Sequence, residues 1–180
     1  MRRLRRAGQI ALGLGVVALE GALAYAYQAR GTWWHFLLHQ YVGWGLGLSV
    51  AALLGLLTRR RVPVVLALLG GQLVSIVPDL MFRYLRMPHE PAMDVWVGHI
   101  SLHRGPTPVL VATAVLLLGA LAWFATARAL SGGVRPARSL PAVALALLGP
   151  VLLTAACLTA DPIPTRLSDY PADSATVVPR

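Results

Sequence analysis

Apolar runs govern what this chain can fold into. A helical crossing of the hydrocarbon core of a bilayer takes about 20 apolar residues. Five stretches approach or exceed that length: 7–29, 34–57, 62–82, 107–127 and 139–160. Of the 180 residues, 57% are hydrophobic and 13% charged, which places the chain in the membrane class rather than among soluble domains. Inside hydrocarbon each backbone N–H and C=O must find its partner within the span, and a helix does this. The expectation is therefore an all-α, multi-span transmembrane helical bundle, with about five transmembrane helices plus a short outer interfacial helix. Residues 1–160 read as a single transmembrane domain. Residues 161–180, DPIPTRLSDYPADSATVVPR, read as an exposed, flexible tail.

The formal net charge is +9, and all 16 basic residues are arginine. Such a balance can signal nucleic acid, but its distribution has a simpler cause, and no nucleic-acid partner is expected. Arg2, Arg3, Arg5 and Arg6 precede the first stretch. Arg59, Arg60 and Arg61 join the second to the third, and Arg128, Arg135 and Arg138 join the fourth to the fifth. These ten face one side; Arg30, Arg83, Arg86, Arg104, Arg166 and Arg180, six in all, face the other. Arginine collects in cytoplasmic loops, so the N-terminus is expected in the cytoplasm and the C-terminal tail outside. Trp33, Trp34, Tyr84 and Trp96 then fall near the outer interface, where amphipathic rings settle. The first stretch also has features of a signal peptide, with a basic start and ALAYA at 22–26. Its apolar run is long for one and is interrupted by Glu20, which favours an uncleaved span. The single cysteine, Cys157, excludes an intrachain disulfide and reads as a small core residue.

With this topology all five histidines lie at the outer face. His35 and His39 open the second span, and His89, His99 and His103 belong to the connection 83–106. Asp79, Glu90 and Asp94, the acidic residues between positions 21 and 160, fall on the same face. His35 and His39 stand at i, i+4, one turn apart on one helical face, and His99 and His103 repeat the spacing. Pro91 suits the first turn of a short helix that Gly105 and Pro106 end. Thr107 is expected to cap the fourth span with its hydroxyl. Two imidazoles one turn apart can share an ion, and an aspartate from a neighbouring helix completes the tetrahedral N/O set that zinc favours. His39, Asp79, His99 and His103 are the expected ligands, with His35 a further candidate. Structural readings compete with this one. Asp79 can pair with Arg83 at i, i+4. Asp94 can stabilise a helix N-terminus, and on an ideal helix it points away from His103. His89, beside Glu90 in a Pro-flanked turn, reads as a surface histidine.

Glu20, near the middle of the first span, is costly there if ionised; Gln72, midway along the third, is a candidate hydrogen-bond partner. Gly43, Gly45, Gly47, Gly70 and Gly71 suit close helix packing better than phosphate binding. Phosphate-loop, nucleophile-elbow and HExxH sequences are absent.

The segment 76–107, with IVPDLMF followed by HRGPT, resembles the YdjM-like membrane-bound metal-dependent hydrolases. The early histidine of that pattern corresponds to His39, four residues before Gly43, and its Pro-Asp element to Pro78-Asp79. Its last element corresponds to His103-Arg104-Gly105-Pro106-Thr107. Met81 stands where the pattern has a second aspartate, and Pro108 where it has a second histidine. His99, one turn before His103, can replace the missing imidazole. The resemblance implies a small multi-span membrane hydrolase of zinc type, and it names no substrate.

The expected function is metal-dependent hydrolysis of an ester or phosphoester at the extracytoplasmic face of a bacterial plasma membrane. A bound divalent ion, zinc by type, would activate water. Asp94 or Glu90 would act as general base and Arg104 would stabilise an oxyanion. The lipid bilayer is the expected partner and a lipid or other phosphoester the expected substrate; the sequence leaves the oligomeric state open. Three alternatives stay open: a haem-binding redox protein; a non-enzymatic metal-binding or transport protein, with Glu20 on an ion path; and a structural membrane protein whose outer polar residues merely meet water. The topology makes its own prediction. Reporters fused after Arg60 and Arg135 should appear cytoplasmic, and those after Glu90 and Asp169 outside; a cytoplasmic reporter at Glu90 would refute the outer-face assignment.

Overall fold

The computed structural model describes residues 2–29, 33–85, 101, 107–132 and 136–160. The helices are α1 (Arg2–Gln28), α2 (Trp33–Thr58), α3 (Val64–Leu85), α4 (Pro108–Ser131) and α5 (Pro136–Leu158), and no strand occurs among the described residues. Four of them, α2 to α5, are long and apolar enough to cross a membrane, and α1 carries a shorter apolar stretch, Gly13–Ala26. The all-helical membrane architecture expected from the apolar runs is thus the one observed. Of the connection 83–106, Ser101 is the described residue beyond α3, and it is helical and buried.

Helix boundaries follow local chemistry. Proline lacks an amide hydrogen and is well placed in a first turn, where that hydrogen would have no intrahelical partner. Pro108 and Pro136 open α4 and α5, and Pro63 precedes α3, its carbonyl accepting from Ala67 N at 3.2 Å. Thr107 does not cap α4 as expected: its hydroxyl makes no capping hydrogen bond. Its backbone carbonyl accepts from Val111 N at 3.1 Å. At the other end of α4 the amide of Gly132 returns to the Arg128 carbonyl at 3.3 Å. Arg59 ends α2 at φ 56°, the left-handed conformation that commonly terminates helices.

The chain divides into two compact units, Met1–Leu38 and His39–Arg180, with the division inside α2. In the first unit Trp33 and Phe36 lie with ring centroids 5.5 Å apart. In the second, the arrangement of side-chain sizes is inverted relative to a soluble domain. Its interior is rich in small residues, with a few larger ones such as Val42, Ile76 and Val115: Ala52, Ala122 and Ala146 meet in one cluster, and Leu48, Ala51 and Ala67 in another. Large residues such as Leu66, Leu73, Leu110, Leu117, Leu121 and Val151 point outward. In water that surface would drive association. Against lipid it costs nothing, and small residues inside let helices approach closely enough for dispersion to hold them.

Glycine makes the closest approaches. A Cβ on Gly71 would overlap the carbonyl of Gly43, one on Gly47 would overlap that of Ala67, and one on Gly119 that of Gly45. Along the antiparallel α2–α3 seam the opposed pairs are Gly47 with Ala67 and Gly43 with Gly71, in steps of four residues. The same step places His39 opposite Ser75. Gly70, expected at a packing surface, faces open space: nothing lies within 4 Å of a Cβ built there. Cys157, expected in the core, is partly exposed on α5.

These two neighbouring glycines make a discriminating pair. Gly71→Ala should destabilise the bundle by about 1–3 kcal/mol, because the clash is with backbone. Gly70→Ala should be neutral or stabilising by up to about 1 kcal/mol through helix propensity. Unfolding in mixed micelles checks both; equal effects of the two changes would refute the seam.

Candidate metal centre

At one end of the α2–α3 seam a histidine is held from two sides. His39 is 4% exposed. Its Nδ1 lies 3.0 Å from Ser75 Oγ, and its Nε2 lies 3.2 Å from Asp79 Oδ2. Both partners come from α3, where residues four apart share a face. The ring enters this gap because Gly43 and Gly71, one turn further in, bring the two backbones together. At the level of those glycines, Trp44 Nε1 donates to Gln72 Oε1 at 3.3 Å. Gln72, the candidate partner for Glu20, thus engages α2 with its side-chain carbonyl, and the seam satisfies its buried polar groups in successive layers.

The placement of the two ring nitrogens restricts what lies between Nε2 and Oδ2. A neutral imidazole whose Nδ1–H donates to Ser75 presents a lone pair at Nε2 to a carboxylate oxygen. Two electron pairs 3.2 Å apart repel unless a cation or a proton stands between them. With a proton there, Nε2–H donates to Asp79 while the Ser75 hydroxyl can donate to Nδ1. With an ion there, both atoms are ligands. Bonds of about 2.0–2.1 Å to one tetrahedral ion set two ligand atoms about 3.3 Å apart, so the spacing suits either state. Ser75 fixes the ring in both, as partners on the far nitrogen do for metal-binding histidines.

His35, one turn earlier on the continuous helix α2, supplies the third member. His35, His39 and Asp79 each offer a ligand atom, and these atoms lie within 4.8 Å of one another. A Ser–His–Asp sequence of contacts also evokes nucleophilic catalysis, but Ser75 is 1% exposed, which closes its hydroxyl to a substrate. The arrangement therefore suits cation binding or proton exchange better than acyl transfer.

The structure brings together His35, His39 and Asp79 of the residues expected from the sequence. His89, Glu90, Asp94, His99, His103 and Arg104 lie outside the described residues, as does the side chain of Arg83. The short outer helix proposed around His99 and His103 falls in the same segment. Ser75 was not evident beforehand. Its signal is the four-residue step to Asp79, which acquires meaning once Gly43–Gly71 sets the register. No family model, curated protein or solved structure matches the chain.

Breaking the pair should expose its energetics. Asp79→Leu alone strands a buried imidazole nitrogen and should cost about 1–3 kcal/mol. His39→Leu combined with Asp79→Leu should cost less than the two single changes added together, with a coupling of about 0.5–1.7 kcal/mol by analogy with polar contacts between membrane helices. Additive losses in a double-mutant cycle of unfolding free energies would show that the two side chains do not interact.

Proposed function

We propose that the chain is an integral membrane protein that holds a divalent cation, zinc by its N/O ligand set, between His39 and Asp79, with His35 beside them. The observation that carries this reading is the 3.2 Å separation of His39 Nε2 and Asp79 Oδ2 at a buried position, with a third ligand atom within 4.8 Å. Ionisable side chains are expensive among apolar helices and persist there for function or in pairs. A two-residue hydrogen-bonded pair would satisfy electrostatics alone. The addition of a second histidine to the same group favours an ion.

The reaction we assign to the site is metal-dependent hydrolysis of an ester or phosphoester. The likeness of His39 and Pro78-Asp79 to the YdjM-like pattern supports it, since these elements, separated by about 40 residues in that likeness, meet across the seam. A bound ion of this type supplies a water of lowered pKa and polarises the bond to be cleaved. His99 and His103 complete the ligand set in this reading. Glu90 or Asp94 takes the proton, and Arg104 faces the developing negative charge. The asymmetry of arginines supports a centre at the extracytoplasmic face, with the N-terminus inside; in a bacterial plasma membrane a lipid phosphoester would be within its reach. A non-enzymatic cation-binding protein would use the same ligands and differ in lacking turnover.

Metal analysis decides the first step. Protein purified in detergent and dialysed against zinc should retain one equivalent. His39→Ala and Asp79→Asn should each abolish it while membrane insertion persists, because the apolar helices and not the ligands drive insertion. Substoichiometric metal in the wild type, or unchanged metal in both variants, would sink the proposal. His99→Ala and His103→Ala then test the wider ligand set, and hydrolysis of a chromogenic phosphodiester that disappears with His39→Ala separates enzyme from binding protein.

A further inference from the structure

Opposite the histidine end of the unit His39–Arg180, arginines converge on a turn that is already pinned down. Trp123 Nε1 donates to Val62 O at 3.1 Å. Arg61 donates to Ala127 O at 3.2 Å and to Ser131 Oγ. These bonds fasten the α2–α3 turn to the last turns of α4, so Arg61 is occupied in holding backbone and side-chain oxygens of a helix C-terminus. Arg59 and Arg60, its neighbours in that turn, and Arg128 on the last turn of α4 are exposed. None of these three forms an ion pair among the described residues. Asp79, at the far end of the seam, is the one acidic residue among the described residues of this unit, so no carboxylate there neutralises them.

Two further observations bear on what binds. Arg59 occupies a left-handed conformation, φ 56°, where glycine or asparagine is the less strained choice. An arginine therefore stands at a position whose backbone prefers a residue without a long side chain. The arginines also sit where membrane-length helices leave hydrocarbon. Leu57, 80% exposed, lies just before the turn, so an acyl chain would run beside the helix whose end bears the charges. A ligand that touches Leu57 and the guanidinium groups together needs an apolar tail and an anionic head. Guanidinium matches phosphate oxygens in a bidentate manner.

We infer that Arg59, Arg60 and Arg128 form a binding site for the phosphate of an anionic glycerophospholipid, with Arg61 as the residue that holds the turn in place. This site is separate from the cation centre and does not depend on it.

Native mass spectrometry from mixed micelles tests the inference, with phosphatidylglycerol and phosphatidylcholine of equal acyl chains as probes. The wild type should retain phosphatidylglycerol preferentially. That preference should fall about fivefold for each charge removed by Arg59→Gln, Arg60→Gln and Arg128→Gln. The triple lysine variant, which keeps the charges but not the bidentate fork, should retain more of the preference than the triple glutamine variant and controls for loss of fold in the glutamine series. Arg61→Gln should lower the unfolding temperature and leave the lipid preference in place. Equal retention of the two lipids by the wild type, or an undiminished preference in the triple glutamine variant, overturns the inference. Displacement of phosphatidylglycerol by millimolar inorganic phosphate also overturns it, because the site would then recognise a bare anion and not a lipid.

Discussion

The backbone contact between Gly43 and Gly71 is the constraint on which the rest of the second unit depends. Each carbonyl occupies the space that the other residue's side chain would fill. In a bilayer there is no water to expel from between two helices, so contact area and polar bonds must hold them. Removing side chains at the crossing gains both. The backbones approach until dispersion acts over their length, and short polar side chains on either side of the crossing come within hydrogen-bonding distance. A pair of leucines at the same positions would hold the helices several ångströms further apart, and His39 would no longer reach α3.

Polar chemistry along the seam follows from that approach. Asp79 and Ser75 face His39 because α3 repeats its face every four residues, and Gln72 faces Trp44 because the crossing is antiparallel. Each buried polar group is matched from the other helix, which makes the seam selective for one register: sliding it by a residue would leave an imidazole, a carboxylate and an amide stranded among apolar neighbours. The glycines determine how near the helices come, and the polar residues determine where they stop along one another. The other side of α2 is lined by small residues. There Ala52 meets Ala122 and Ala146, and Thr126 Oγ1 reaches the Ala52 carbonyl at 3.4 Å.

Much of this was legible in the sequence, for identifiable reasons. Helix length is dictated by bilayer thickness, so apolar runs located α2 to α5 to within a few residues. The alternation of direction placed His39 and Asp79 at one end and Arg59 to Arg61 at the other without any knowledge of contacts. Rotation of each helix was not legible. The hydrophobic face of a soluble helix announces itself by period, whereas in lipid both faces are apolar and size, not polarity, separates them. Gly70 and Gly71 are indistinguishable on that basis, yet one faces open space and the other touches backbone. Ser75 does not stand out in the sequence for the same cause, since serine is a common small residue in such helices. Thr107 followed a rule of capping that holds on average, and here the carbonyl of the same residue took the work instead.

Pro78 gives α3 an uneven mechanical profile. It lies inside the helix and, lacking an amide hydrogen, it leaves the carbonyl of Val74 without its intrahelical donor. The missing bond spans the turn between Ser75 and Asp79. On the side of the glycine crossing the helix is clamped to its neighbour. Beyond Pro78 the helix continues through Asp79–Leu85, joined by a turn that lacks this hydrogen bond. Bending at that turn would swing the carboxylate relative to His39 while leaving the crossing intact, so the closest backbone contact of the seam and its missing backbone hydrogen bond lie in neighbouring turns of one helix.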